Sequence, residues 1–424
     1  MSYRIETNCV QAGWEPKDGE PRILPIYQST TYKYDSAATI GEIFDLKADG
    51  HTYSRLSNPT VAGLEEKVNA LEGGVAALGT ASGQSANFFA VFNIASAGDN
   101  FVAFTSIYGG SVNLFAVTFK RMGIEVRFAT PQMSDEEVEA LFDERTRCVF
   151  GETIANPALN VFDIERYAGI AHKHNVPLIV DNTFATPILL KPFEYGADII
   201  THSMTKYMDG SAAVMGGMIV DSGNFDWEAA GKYPELTEPD DSYHGVVYTR
   251  DFGKAAYITK ARVQLMRDLG PTLSAQAAFQ FYLGIDSLAV RMERHSENAM
   301  KAAEFLSAHP KVESVNFPLL PTSDQYELAK KYLTKGCCGV VSFVVKGGRE
   351  KAMNFMNALN MIDIVVHVAD ARSCILHPAS TTHRQLTDAQ LEAAGIQPGM
   401  VRFSVGIENI EDILEDLTQA FDKI

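Results

Sequence analysis

No stretch of this sequence approaches the ~18 uninterrupted apolar residues of a membrane span. Its first stretch, MSYRIETNCVQAGWEPKDGEPRILP, has neither a basic leader nor a sustained apolar run, so the expectation is a soluble, unexported, cytoplasmic protein. Cysteine is scarce. Cys9, Cys148, Cys337, Cys338 and Cys374 are odd in number and include no C-x-x-C pair, which argues against a disulfide framework and against a zinc site. The ten histidines show no H-E-x-x-H or other ligand spacing, so no metal is expected. Positive charge is short as well. With 36 Lys and Arg against 53 Asp and Glu the formal charge is −17, which repels a phosphate backbone, and no dense basic cluster offsets it. Neither nucleic acid nor a membrane is expected as a partner.

What is present is ordinary globular composition, 46% hydrophobic and 21% charged over 424 residues, enough for two or three domains. Residues 1–58 are rich in Gly, Pro, Thr and Tyr with little helical period, and are expected to form an extended arm. From Pro59 the signals alternate. NPTVAGLEEKVNALEGG has Pro at a first helical position, Val61, Leu64, Val68 and Leu71 on one face, and a glycine stop. Short apolar runs follow, FVAF, IEVRF, CVFGE and PLIVD, separated by helical segments such as SDEEVEALF with its Ser134/Glu137 capping box. This alternation predicts an α/β fold with a mostly parallel sheet covered on both faces, over residues 59–270. After Gly270 a long helical stretch and the strand-like runs GVVSFVVKG, IVVHV and MVRFSVGI predict a second, smaller α/β domain over 271–424.

THSMTKYMDG, residues 201–210, carries the sharpest chemical signal. Ser203 and Lys206 have the S-x-x-K spacing of a serine acyl-transferase, but S-D-N and K-T-G, which accompany it in penicillin-binding enzymes, are absent. The other reading makes Lys206 an amine that forms a Schiff base, with Ser203 and Thr205 as donors beside it. Ligands of a parallel sheet bind at the carboxyl ends of its strands. GTASGQSANFF turns from an apolar run into a helix at Gly83 and Gln84, whose N–H groups make an anion site. Asp181 ends PLIVD, a run too apolar to finish in an unpartnered carboxylate. An anion cradle, an acid and a lysine on one rim are the parts needed to hold pyridoxal phosphate. A carboxylate ~4 Å from a cation gains roughly 4 kcal/mol at an effective dielectric of about 20, about three pKa units, which keeps the pyridine nitrogen protonated as an electron sink.

YSRLSNPT, GTASGQSA, IYGG, ETIANP, VDNTFATP, HSMTKY, HPASTTH and VRFSVGIE occur in this order. Through them nearly the whole chain resembles the Cys/Met-metabolism branch of fold-type I pyridoxal-phosphate enzymes. That resemblance implies a seven-stranded-type sheet in the large domain and a homotetramer built from dimers with shared active sites. It further implies that Lys206 is the Schiff-base lysine, Asp181 the acid at the pyridine nitrogen and Tyr108 the ring stacked on the cofactor, able to assist proton transfer. Gly83, Gln84, Ser203 and Thr205 match the phosphate ligands, and Tyr53 and Arg55 the pair that reaches the phosphate of a neighbouring subunit. Asn156 falls near the cofactor hydroxyl and substrate carboxylate, and Tyr53 also lines the substrate site. Arg402 matches the arginine that grips the substrate carboxylate, a task suited to a planar bidentate donor.

The chain departs from its relatives in two places. Asp209, Gly210 and Ser211 stand where Gly-His commonly follows the lysine motif. HVADA replaces the usual NVGDA or SLGDA, so His367 and Ala369 take the places of an amide or hydroxyl and a glycine. His367 thereby falls where substrate-carboxylate contacts usually arise, as a further cation, a proton shuttle or a filled core position. Residues 225–274 resemble an insertion typical of the sulfhydrylases of the branch, and Gly110 stands where its methionine γ-lyases carry cysteine. Both features point to γ-replacement of the acetyl group of O-acetyl-L-homoserine by sulfide or another sulfur donor. Methionine γ-lyase and cystathionine γ-synthase activity are the alternatives on the same scaffold, and a cofactor-carrying binding protein is a third class.

Overall fold

The computed structural model describes residues 3–381, 384 and 397–424. The last two residues of HPASTTH, Thr382 and His383, lie outside them.

The predicted helix runs Pro59–Glu72, is capped by the Asn58 side chain, which accepts from Thr60 N, and stops at Gly73. Val61, Leu64, Val68 and Leu71 are all buried. Seven strands then form one sheet: β1 Ala76–Thr80, β2 Asn100–Phe104, β3 Glu125–Ala129, β4 Thr146–Glu152, β5 Leu178–Asp181, β6 Ile199–Ser203 and β7 Gly217–Asp221. Their order is β1-β7-β6-β5-β4-β2-β3. β7 pairs antiparallel with both of its neighbours, and every other pairing is parallel. The expected mostly parallel seven-stranded sheet is therefore present. β2 and β5 are buried along their whole length, because helices cover both faces of such a sheet and its strands need no polar alternation. The capping box is present, with Ser134 Oγ accepting from Glu137 N and the Glu137 carboxylate accepting from Ser134 N.

Residues 3–58 are not uniformly extended. They include helices Ile5–Gln11 and Ala37–Phe44, and Cys9 is fully buried. Past Leu24 the segment runs along the surface, with Ile26, Tyr27, Phe44 and Tyr53 exposed.

Residues 225–274 fold into short helices around buried Trp227, Tyr233, Tyr248 and Tyr257. They clamp the helix Gly83–Phe92 from behind. Tyr257 Oη donates to Ala90 O at 2.7 Å, Asn93 Nδ2 donates to Tyr257 O at 2.9 Å, and Lys260 Nζ donates to Asn93 O at 2.8 Å.

The long helical stretch divides at Ser287 into Ala275–Asp286 and Leu288–Ala308. A second sheet follows, built from β8 Val312–Asn316, β9 Val340–Val345, β10 Asp363–Ile364, β11 Cys374–Leu376 and β12 Met400–Ser404, in the order β10-β11-β12-β9-β8. IVVHV, expected to be a strand, is strand only at Ile364. Val365 and Val366 are exposed, Val366 at 70%. The chain leaves the sheet there because the carbonyls of Val366 and His367 are held by Arg402. Among the described residues no helix is long and apolar enough to cross a membrane, and no group of three or more His, Cys, Asp or Glu could hold a metal ion.

Candidate active site

The carboxyl ends of β4, β5 and β6 lie side by side, Glu152 opposite Asp181 and Asp181 opposite Thr201. β1, parallel to β6 through their shared neighbour β7, turns at Ser82 into the helix Gly83–Phe92, with Ser82 Oγ accepting from Ser85 N. A Cβ on Gly83 would stand 2.5 Å from Ser203 Cβ. Only glycine lets this helix start touch Ser203, and the N–H groups of Gly83 and Gln84 belong to the first turn, which has no intrahelical acceptor. The Gln84 side chain is engaged elsewhere, its Nε2 donating to Gly110 O at 2.8 Å. Thr205 Oγ1 exchanges hydrogen bonds with the Gly216 backbone.

Asp181 is buried and accepts three hydrogen bonds, all from neutral donors. Thr183 donates to Oδ1 through its N–H at 3.1 Å and its hydroxyl at 2.5 Å, and Asn87 Nδ2 donates to Oδ2 at 3.1 Å. Thr201 Oγ1 fixes Asn87 by donating to its Oδ1 at 2.6 Å. Beside it Glu152, 4% exposed, accepts from Tyr108 N at 2.5 Å. Burial pushes the Glu152 carboxyl well above the usual range, the neighbouring Asp181 charge adds to the rise, and the Tyr108 N–H opposes it. Glu152, Asn87 and Thr183 are site residues that the sequence reading passed over. CVFGE carried the same signal as PLIVD, an apolar strand ending in a carboxylate. The Tyr108 ring is half exposed. A Cβ on Gly110 would lie 2.4 Å from that ring, so a side chain at Gly110 displaces it.

Lys206 follows β6 directly, and its neighbour Tyr207 is fully buried. Tyr207 O accepts from Arg291 Nη1 at 2.6 Å and its hydroxyl accepts from Gly339 N at 2.8 Å. Lys206 Nζ lies 3.5 Å from His367 Nδ1. Burial first, and the nearby Arg402 charge second, push the Lys206 amine down to about 8. Arg402, on β12 and 6% exposed, donates from Nη1 to Asn156 Oδ1 at 3.3 Å and from Nη2 to the carbonyls of Val366 and His367 at 3.0 and 3.1 Å.

Lys206, His367, Arg402 and Asn156 thus form one connected cluster. Gly83, Gln84, Ser203, Asp181 and Tyr108 adjoin it along the strand ends. Tyr53 and Arg55 stand apart: the Arg55 guanidinium packs over the Tyr53 ring at 4.9 Å. Among the described residues, neither hydrogen-bonds to the other candidates. Asp209, one of the departures, closes the turn after Lys206 by accepting from Ser211 N and Ala213 N.

The donor set suits pyridoxal phosphate. A helix start closed on Ser203 offers amides to a phosphate, a buried amine of lowered basicity is available to an aldehyde, and an acid stands at the rim. Arg402 Nε and His367 Nε2 are buried polar atoms without a protein partner among the described residues.

Known proteins are similar to this chain along nearly its whole length. Residues 6–422 match the family described as Cys/Met metabolism PLP-dependent enzymes. An O-acetyl-L-homoserine sulfhydrylase of Leptospira meyeri is 45% identical over 433 residues, covering 100% of this chain and 98% of its own. O-acetyl-L-homoserine sulfhydrylase 1 of Thermus thermophilus is 46% identical over 419 residues, covering 98% and 99%. A Campylobacter jejuni structure of a candidate O-acetylhomoserine (thiol)-lyase, solved with N'-pyridoxyl-lysine-5'-monophosphate, superposes with a TM-score of 0.95 at 36% identity, covering 99% and 100%. A match of this extent to the family, joined to a rim that offers an amide cradle, an acid and a buried amine, makes this chain a member of the Cys/Met metabolism PLP-dependent enzymes, with pyridoxal phosphate as its cofactor.

Proposed function

We propose that this protein converts O-acetyl-L-homoserine and sulfide, or another sulfur donor, to L-homocysteine and acetate. The Cγ–O bond to acetate breaks and a Cγ–S bond forms. The observation that carries this reading is the connected cluster of Lys206, Arg402 and Asn156, a base of lowered pKa beside a carboxylate grip at the strand ends. The full-length relatives named sulfhydrylases, and the 225–274 segment, support replacement over elimination.

When bound, pyridoxal phosphate supplies an aldehyde that receives amines and a protonated ring that draws electron density from the substrate. In this reading Gly83 and Gln84 offer their N–H groups, and Ser203 and Thr205 their hydroxyls, to the phosphate. Asp181, oriented by Thr183 and Asn87, would favour the protonated form of the pyridine nitrogen. Tyr108, its backbone N–H held by Glu152, would pack against the cofactor and assist proton transfer. Arg402 and Asn156 orient the substrate α-carboxylate, with His367 and Tyr53 lining the same site. Lys206, as a free amine, would remove the substrate α-proton and carry protons to and from the β-carbon.

The division into an arm (1–58), a cofactor domain (59–270) and a C-terminal domain (271–424) belongs to the same proposal. So do a homotetramer in which Tyr53 and Arg55 reach a neighbouring copy's phosphate, and residence in the cytoplasm. Product analysis by mass spectrometry tests the reaction. Homocysteine and acetate in equal amounts, formed only with sulfide, are expected; 2-oxobutyrate dominating in the presence of sulfide would make the protein a lyase.

A further inference from the structure

The segment that leaves the second sheet after Ile364 brings a histidine to Lys206, at the position where relatives of this chain often have an amide or a hydroxyl. The His367 backbone is fixed on two sides: its carbonyl accepts from Arg402 Nη2 at 3.1 Å and from Cys374 Sγ at 3.4 Å. Its Nδ1 lies 3.5 Å from Lys206 Nζ, and its Nε2 is sealed from solvent with no protein partner among the described residues. A histidine that only filled space would not be held against the one amine the reaction needs.

We propose that His367 is a positioning residue for Lys206: a neutral imidazole whose Nδ1 accepts a hydrogen bond from the lysine amine, with its own proton on Nε2. This deepens the γ-replacement reading and rests on it only for its role in turnover. When Lys206 has taken a proton, the ammonium N–H points at the Nδ1 lone pair, and that proton can pass to His367 and back with no other group consumed or formed. The electrostatics agree. Three basic groups meet here, and Arg402 keeps its charge. Burial first and the Lys206 charge second lower the His367 pKa; Asp370 on its own loop and Asp209 from the turn after Lys206 oppose them, and the Arg402 charge adds the smallest lowering. Cys374 on β11, its thiol pushed up to about 11, is neutral. A protonated Lys206 beside a neutral His367 is the arrangement these charges favour.

The test uses the full-length, cofactor-free protein, with no turnover required. His367 is titrated by NMR on ring-labelled histidine, its signal identified by its loss in His367→Asn. Lys206→Met removes the facing charge, so the His367 midpoint should rise by about one to three units. Independently, the pH dependence of pyridoxal phosphate uptake, followed by absorbance, reports the Lys206 ionisation. His367→Asn places an amide atom where Nδ1 stood and should hold that midpoint near wild type. His367→Leu removes the acceptor and should lower it by about one unit. A His367 midpoint that ignores Lys206→Met, or equal uptake midpoints in the Asn and Leu variants, overturns the proposal. A protein that passes both tests but makes no homocysteine would fail as a sulfhydrylase while keeping the lysine–histidine pair.

Discussion

The two ends of the site are built differently. The cofactor end stands on strand termini: Glu152, Asp181 and Ser203 close β4, β5 and β6, and Gly83 opens a helix clamped from behind by Tyr257 and Lys260. The substrate end hangs on a loop, residues 365–370, pinned to β12 by Arg402 through two carbonyls and by Ser404 Oγ, which accepts from Ala369 N at 2.8 Å. Strand ends fix positions to fractions of an ångström, as chemistry on a cofactor needs. A loop can vary its residues without disturbing the sheet. Two of this chain's departures, His367 and Ala369, fall on that loop, and the others, Asp209, Gly210 and Ser211, fall on the turn that follows Lys206.

This contrast orders the expected effects. In the proposed mechanism Lys206→Ala removes the base and the cofactor attachment together. Turnover should fall roughly 10⁴-fold or more and the yellow colour should be lost; a coloured, active variant would refute the assignment. Gly83→Ala drives a methyl into Ser203 at 2.5 Å. Cofactor affinity should fall at least about tenfold by absorbance titration, and stability by about 1–3 kcal/mol, whereas no loss would mean the cradle is looser than its geometry.

Glu152→Gln probes the carboxyl whose pKa burial and the Asp181 charge raise. A raised folded pKa means the native state binds more protons than the unfolded one. Wild-type stability should therefore fall as pH rises from the ordinary carboxyl range toward the folded value, by up to about 1.4 kcal/mol per pH unit. The glutamine variant, which still accepts from Tyr108 N, should lack that slope in urea unfolding and keep turnover within about threefold. Parallel slopes in variant and wild type would show an ionised Glu152. The smallest effect is expected at the loop. Ala369 has φ 66°, the left-handed region that costs a Cβ-bearing residue about 1–2 kcal/mol. Ala369→Gly should be neutral or stabilising by up to about 1 kcal/mol, once the unfolded-state entropy of glycine is set against that strain.

The same contrast governs what could be read from the sequence. Asp181 stood out because an apolar run that ends in a carboxylate needs a reason, and Lys206 because Ser203 and Thr205 stand beside it in THSMTKY, a setting that suits a Schiff-base amine. Glu152 met the same criterion as Asp181 and was missed only because CVFGE was read as a strand and no further. β7 was not anticipated: an antiparallel strand inserted between two parallel ones leaves no mark in a local pattern. β8 and β11 escaped for a different reason, β8 being half exposed and β11 only three residues long. IVVHV misled because β-branched residues favour strands by their own propensity, whereas tertiary bonds from Arg402 peel this segment away after Ile364. His367 was legible as a departure, but its distance to Lys206 depends on that peeling and could not be read from spacing.

The most direct test of the mechanism is to run the reaction with O-acetyl-L-homoserine and sulfide in deuterium oxide and examine the homocysteine by mass spectrometry and NMR. If Lys206 removes and returns the α-proton, the exchangeable hydrogens of its amine will leave deuterium at the α-carbon of the product, and at the β-carbon as well. Homocysteine with every carbon-bound hydrogen retained would mean direct displacement of acetate by sulfide at Cγ, and would contradict the role given to Lys206.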